Sequence, residues 1–102
     1  MSTQSDSEVF KLTEEYKALE AEWHEHKADF DFLVETYQDE NGAVGPDAMV
    51  EIIVLNPGRV RRTKLYVEAV LSSLQIRMNA IDYRKVELDT QIIYANDAVT
   101  YP

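Results

Sequence analysis

The side chains best placed to do chemistry are His24 and His26 and the carboxylates around them. Metal ligands on a helix must share a face, which takes a spacing of three or four residues. The two histidines are two apart and point about 200° from one another. Glu20 with His24, Glu22 with His26, and His26 with Asp29 do have facing spacings, but none forms the Glu-x-x-His pair of di-metal helix bundles. The chain has no cysteine, so it offers no thiol nucleophile, thiolate metal site or disulfide. Gly42, Gly45 and Gly58 do not compose a phosphate loop or a dinucleotide fingerprint. A serine triad would need an oriented histidine away from the nucleophile's own element, and both histidines fall on one segment. Nineteen acids single out no glycosidase pair. The expectation is a non-enzymatic chain with no metal and no cofactor. His26 fills a slot in an apolar seam, where a titrating imidazole would make association depend on pH.

Two charge features remain as candidate binding sites. Residues 1–40 hold twelve acids and three lysines, while residues 41–102 hold seven acids and seven bases, so the net charge of −9 resides in the first segment. Glu8, Glu15, Glu22 and Asp29 recur every seven residues, about 10 Å apart along a helix. They form a candidate acidic face for a basic protein partner. The same row could mimic a phosphate array and block a nucleic-acid-binding protein, although duplex phosphates are spaced more densely. Arg59, Arg61, Arg62 and Lys64 form the opposite feature, a candidate phosphate contact for an accessory protein of nucleic-acid metabolism. Their neighbourhood disfavours nucleic acid, because binders of that kind carry a dominant basic patch. Pairing with Glu35, Asp39 and Glu40 is the expected use of these cations. Tyr16, Trp23, Phe30 and Tyr37 also repeat every seven residues and read as core, since acids rather than bases lie between them.

The elements that carry these residues follow from spacing. Val9, Leu12, Tyr16, Leu19, Trp23, Phe30, Leu33 and Tyr37 step by three and four, with His26 in the open slot, which predicts a heptad-patterned helix over about residues 7–40. Ser5 and Glu8 have capping-box spacing and Asn41-Gly42 is a stop signal. Val67, Leu71, Leu74, Met78, Ile81, Leu88 and Ile92 predict a second helix over about residues 58–95, with Asn56-Pro57 read as N-cap and first helical position. Residues 96–102 read as a tail or a short docked strand. Between the helices, residues 41–57 form a connector. Its stretch 48–55 is open between a strand, favoured by its β-branched run, and a short helix.

The second helix carries a further apolar set, Leu65, Ile76, Tyr83, Val86 and Ile93. A helix apolar on two sides usually buries two sides, so these five are the candidate oligomer interface. The expected fold is all-α: one domain, an antiparallel two-helix hairpin like a coiled coil, completed by oligomerisation. The layout of long helix, short insert and long helix resembles the prefoldin-type chaperone arrangement. Separately, VEAVLSSLQIRMNAIDYRKV, Val67–Val86, resembles the C-terminal helix of phage recombination mediator proteins. Neither likeness assigns a site residue. The longest apolar run, Ile52–Leu55, is far below the roughly 18 residues of a membrane span, and MSTQSDSE lacks signal-peptide character. The expectation is a soluble intracellular protein, cytoplasmic or part of a virion. It would associate with itself and with a basic protein, not with a membrane, as an assembly factor, adaptor, chaperone or small virion component.

Overall fold

A computed structural model of the chain describes residues 3–100, with the side chains of residues 6–97. The element order is α1 (Thr3–Tyr37), β1 (Met49–Asn56), β2 (Arg59–Tyr66) and α2 (Val67–Thr100). The all-α helical hairpin and its coiled-coil character are therefore corrected. A two-stranded antiparallel sheet comes between the helices in chain order, and the chain is mixed α and β. Residues 59–66, expected in the second helix, form β2, and that helix starts at Val67 and continues through Thr100. Of the expected tail, residues 96–100 are thus helical, and residues 101–102 lie outside the described residues.

The strand assignment turns on the Asn56-Pro57-Gly58-Arg59 turn. Asn-Pro opens a helix or a turn equally well, but Gly58 has a φ of 75°. With Pro at the preceding position, a left-handed glycine fits a type II turn, and no helix can start through it. Asn56 then faces Arg59 and the ladder runs back to Met49 opposite Tyr66. The Val67 amide donates to the Ala48 carbonyl at 2.9 Å, which extends the ladder by one pair.

Helix α1 stops at Tyr37 rather than near residue 40. Asp39 takes over there: its carboxylate accepts from the Asn41 amide at 2.8 Å and the Ala43 amide at 3.1 Å. The Asp39 amide donates to the Ala43 carbonyl at 2.9 Å, and Gly42 turns the chain at a φ of 80°. An aspartate that satisfies local amides competes with helix continuation.

The chain divides into two compact units, residues 1–26 with 77–102, and residues 27–76. In the first, the two helix segments run antiparallel, as the ion pairs Glu15–Arg84 and Glu22–Arg77 require. Met78, Ile81, Leu88 and Ala95 are buried, and Leu12, Tyr16, Leu19 and Trp23 are half-buried facing inward. The second unit holds the end of α1, the hairpin and the start of α2, with Leu33 and Val67 buried. The three-and-four spacing thus marks the inner face of both helices, although the fold that joins them is not the expected one.

Candidate functional site

Three groups of side chains have the chemistry to act: the acidic row of α1, the cations of β2 and the exposed apolar residues.

In the first unit, two members of the acidic row are occupied within the chain. Arg84 reaches Glu15 with two nitrogens, at 2.8 and 3.1 Å, and also meets Glu87 at 3.1 Å. Arg77 reaches Glu22 with two nitrogens, at 2.6 and 2.9 Å. Such two-point contacts fix geometry as well as charge. The hydrogen bonds from Arg84 hold the Glu15 carboxyl below its ordinary 4.5, and those from Arg77, then His26, lower Glu22 to about 2. The same contacts raise both arginines above their ordinary value. One heptad separates the partners on each helix, so the two clamps together define a single antiparallel register.

His26 Nε2 lies 2.9 Å from Glu22 Oε2, so the seam histidine joins the Arg77–Glu22 clamp instead of standing alone in the apolar row. Lys85, the polar seam position of α2, sits 5.1 Å from the centroid of the Tyr16 ring, a cation–π distance. Trp23 Nε1 is buried and has no hydrogen-bond partner among the described residues. Glu8 is exposed. Arg77 and Arg84 were not singled out by sequence reasoning. Their seven-residue spacing beside the seam, matched by Glu15 and Glu22, was the available signal.

In the second unit, Arg59, Arg61, Arg62 and Lys64 lie on β2, not at a helix start. Only Arg62 has an ion-pair partner among the described residues, Glu51 of β1 at 3.6 Å. The expected pairing with Glu35, Asp39 and Glu40 does not form there, because the cluster belongs to a strand and Asp39 is committed to its own loop. The hairpin carries one acid against four bases, so a local positive ribbon belongs to an acidic chain. Asp29, the last of the acidic row, lines an apolar groove of about 210 Å³ with Phe32, Leu33, Val50, Ile52, Val70 and Leu74.

The candidate oligomer interface is also redistributed. Leu65 lies on β2 opposite Val50, not on the helix, because the helix starts two residues later. In the first unit, Tyr83, Val86 and Ile93 are exposed on α2, and Tyr83 and Val86 line a shallow depression with Asn79 and Asp82. Ile76 of the second unit is exposed as well. The hairpin adds residues that spacing did not identify: Met49, Ile53, Leu55, Val60 and Tyr66, all exposed. Val60 and Tyr66 were hidden among the charges of β2, and Met49, Ile53 and Leu55 lay in the stretch left open between strand and helix.

No helix among the described residues is long and apolar enough to cross a membrane, and no three histidine or acidic side chains among them are grouped to hold a metal ion. No family model, no curated protein and no solved structure matches the chain.

Proposed function

We propose that the chain is a non-enzymatic interaction module that associates with copies of itself and presents charged surfaces to a partner protein. One imbalance carries this reading. Among the described residues six hydrophobic side chains are buried, whereas fourteen large ones are exposed. Apolar surface left in water forgoes about 25 cal/mol per Å², and large contiguous patches of it mark interaction sites. Tyr83, Val86 and Ile93 supply the self-association face on α2. The acids of α1 that no arginine holds, Glu8 among them, face a basic partner. Assembly factor, adaptor, chaperone and virion component are all roles within this class.

Solution mass by light scattering tests the proposal. The expected result is a mass of at least two chains for the natural protein. The double substitution Tyr83→Asp with Val86→Asp should move it toward one. A strictly monomeric natural chain at high concentration overturns it.

A second reading draws on the cations of β2. Arg59, Arg61 and Lys64 have no ion-pair partner among the described residues, and a two-stranded ribbon fits a nucleic-acid groove. Binding to duplex DNA at low salt that weakens steeply as salt rises would support it. Absence of binding at low salt rejects it.

A further inference from the structure

The hairpin of β1 and β2 has two open edges among the described residues, and they are not equivalent. In an antiparallel ladder, directly opposed residues alternate between pairs that exchange hydrogen bonds and pairs whose amides and carbonyls point away. The bond from the Val67 amide to the Ala48 carbonyl makes that pair a bonded one. The register then assigns Val50, Ile52, Val54 and Asn56 to β2. It leaves the amides and carbonyls of Met49, Glu51, Ile53 and Leu55 on the outer edge of β1. By the same alternation, Val60, Arg62 and Lys64 supply the outer edge of β2.

Exposed edges invite pairing with another chain, and natural sheets guard them with charge, proline or bulges. The β2 edge is guarded, because four of its eight residues are Arg or Lys. The β1 edge is not: MVEIIVLN carries one charge, Glu51, and no proline. Two β2 strands side by side would bring eight cations together. A β1 strand laid on β2 of the next copy would leave one open edge at each end and propagate without closure. Both like-edge pairings close about a twofold axis, and β1 against β1 is the one that brings no cations together.

A two-stranded hairpin is marginal alone, and three or more strands make a stable sheet. The register that pairs the full strand places Ile52 on the axis. Glu51 then falls opposite Ile53 of the copy and Met49 opposite Leu55, so the two Glu51 carboxylates do not meet. Ile53 and Leu55, now exposed, gain apolar neighbours across the new seam.

From this we infer that β1 is a self-pairing edge: two copies join β1 to β1, antiparallel, into a four-stranded sheet with the cationic β2 strands outermost. It presupposes the self-association proposed above and names the surface and occupant for it, a second copy of this chain.

The test uses the full chain and three variants. Ile53→Pro deletes an outward amide of β1 without removing a hairpin bond, and proline is compatible with such edge positions. Ile53→Lys guards the same edge with charge. Arg62→Pro deletes the equivalent outward amide of β2. Association is read from mass against concentration, and edge pairing from amide hydrogen exchange.

In the natural chain, the Glu51 and Ile53 amides should exchange as slowly as the bonded amides of Ile52 and Val54 once the chain associates, and freely when it is diluted to monomer. Both Ile53 variants should raise the dissociation midpoint at least tenfold, while Arg62→Pro leaves it within twofold. Unchanged association in both Ile53 variants overturns the edge proposal while leaving self-association standing. Equal loss in Arg62→Pro overturns it in favour of β1-to-β2 propagation. Fast exchange of the Glu51 amide in the associated chain overturns it in favour of association through another face, with the β1 edge left unpaired. A monomeric natural chain removes both proposals.

Discussion

The paired helix segments of residues 6–26 and 77–97 and the hairpin of residues 49–66 use arginine in opposite ways. In the helix pair each arginine meets a glutamate through two nitrogens, Arg84 with Glu15 and Arg77 with Glu22. The apolar residues between them are covered. In the hairpin, only Arg62 of the four cations meets a glutamate, at 3.6 Å, and Ile53, Leu55 and Val60 face solvent. Charge fixes a register inside the chain in one region, whereas in the other it blocks one sheet edge and leaves its neighbour available. The same residue type thus specifies an intramolecular pairing where acids lie opposite, and stays largely unpaired where they do not.

The largest expected difference between the regions comes from truncating apolar residues. Ile81 is fully buried, and Ile81→Ala should cost about 2–5 kcal/mol. Leu55 is 74% exposed, and Leu55→Ala should stay within about 0.5 kcal/mol at concentrations where the chain is monomeric. Urea unfolding followed by the fluorescence of Trp23, the single tryptophan, measures both. Equal costs would erase the contrast and show that the hairpin of the single chain is buried.

Charge exchange should have the next largest effect. Glu15→Arg opposes Arg84 with a like charge, and Arg84→Glu gathers carboxylates at Glu15 and Glu87. Each should lower the melting temperature, and the double exchange should recover most of the loss. Arg62→Glu with Glu51→Arg in the hairpin should show little coupling by the same measurement. Strong coupling there would show that the 3.6 Å pair tightens in solution.

The acid limb of stability sharpens the comparison further. Hydrogen bonds from Arg77, and then His26, lower the Glu22 carboxyl from 4.5 to about 2. A carboxyl held lower in the folded state favours folding above its unfolded value, and that contribution fades as the pH falls from about 4.5 to about 2. Glu22→Gln should flatten the loss of stability across that window, as read by thermal melts at successive pH values. An unchanged acid limb would mean that the Arg77 clamp is open in solution. The smallest effect belongs to Arg62→Ala. Exposed pairs of that geometry contribute about 0–1 kcal/mol, so its melt should lie near that of the natural chain. A marked drop would show that the hairpin's lone ion pair is stronger than its separation implies.

Much of the helical architecture was legible. Leu33, Val67, Met78, Ile81 and Leu88 are all inner-face positions by a step of three or four, because a helix returns to the same face at that interval. The strand β2 was not legible. Arg and Lys are permissive in helices, and Val60 and Leu65 fall on opposite faces of a ribbon whose other members are mostly charged, so no apolar alternation shows. Asn56-Pro57 suits two structures equally, and only the conformation at Gly58 separates them. The interaction surfaces divide in the same way. Tyr83, Val86 and Ile93 stood out as apolar residues off the main seam. The partners of Glu15 and Glu22 lie 69 and 55 positions away in the chain, a separation that local pattern does not report.

The sequence by itself determined the inner faces of the helices, the concentration of acid in the first forty residues and the lack of thiol chemistry, since composition and periodicity are local properties. Only the tertiary structure decided that residues 59–66 leave the helix, because a strand exists through its partner and β1 supplies it. It also decided that half of the heptad-spaced acidic row is held by arginines of α2. And it decided which sheet edge stands unguarded, because the direction of an amide is set by the ladder register rather than by the side chain it belongs to.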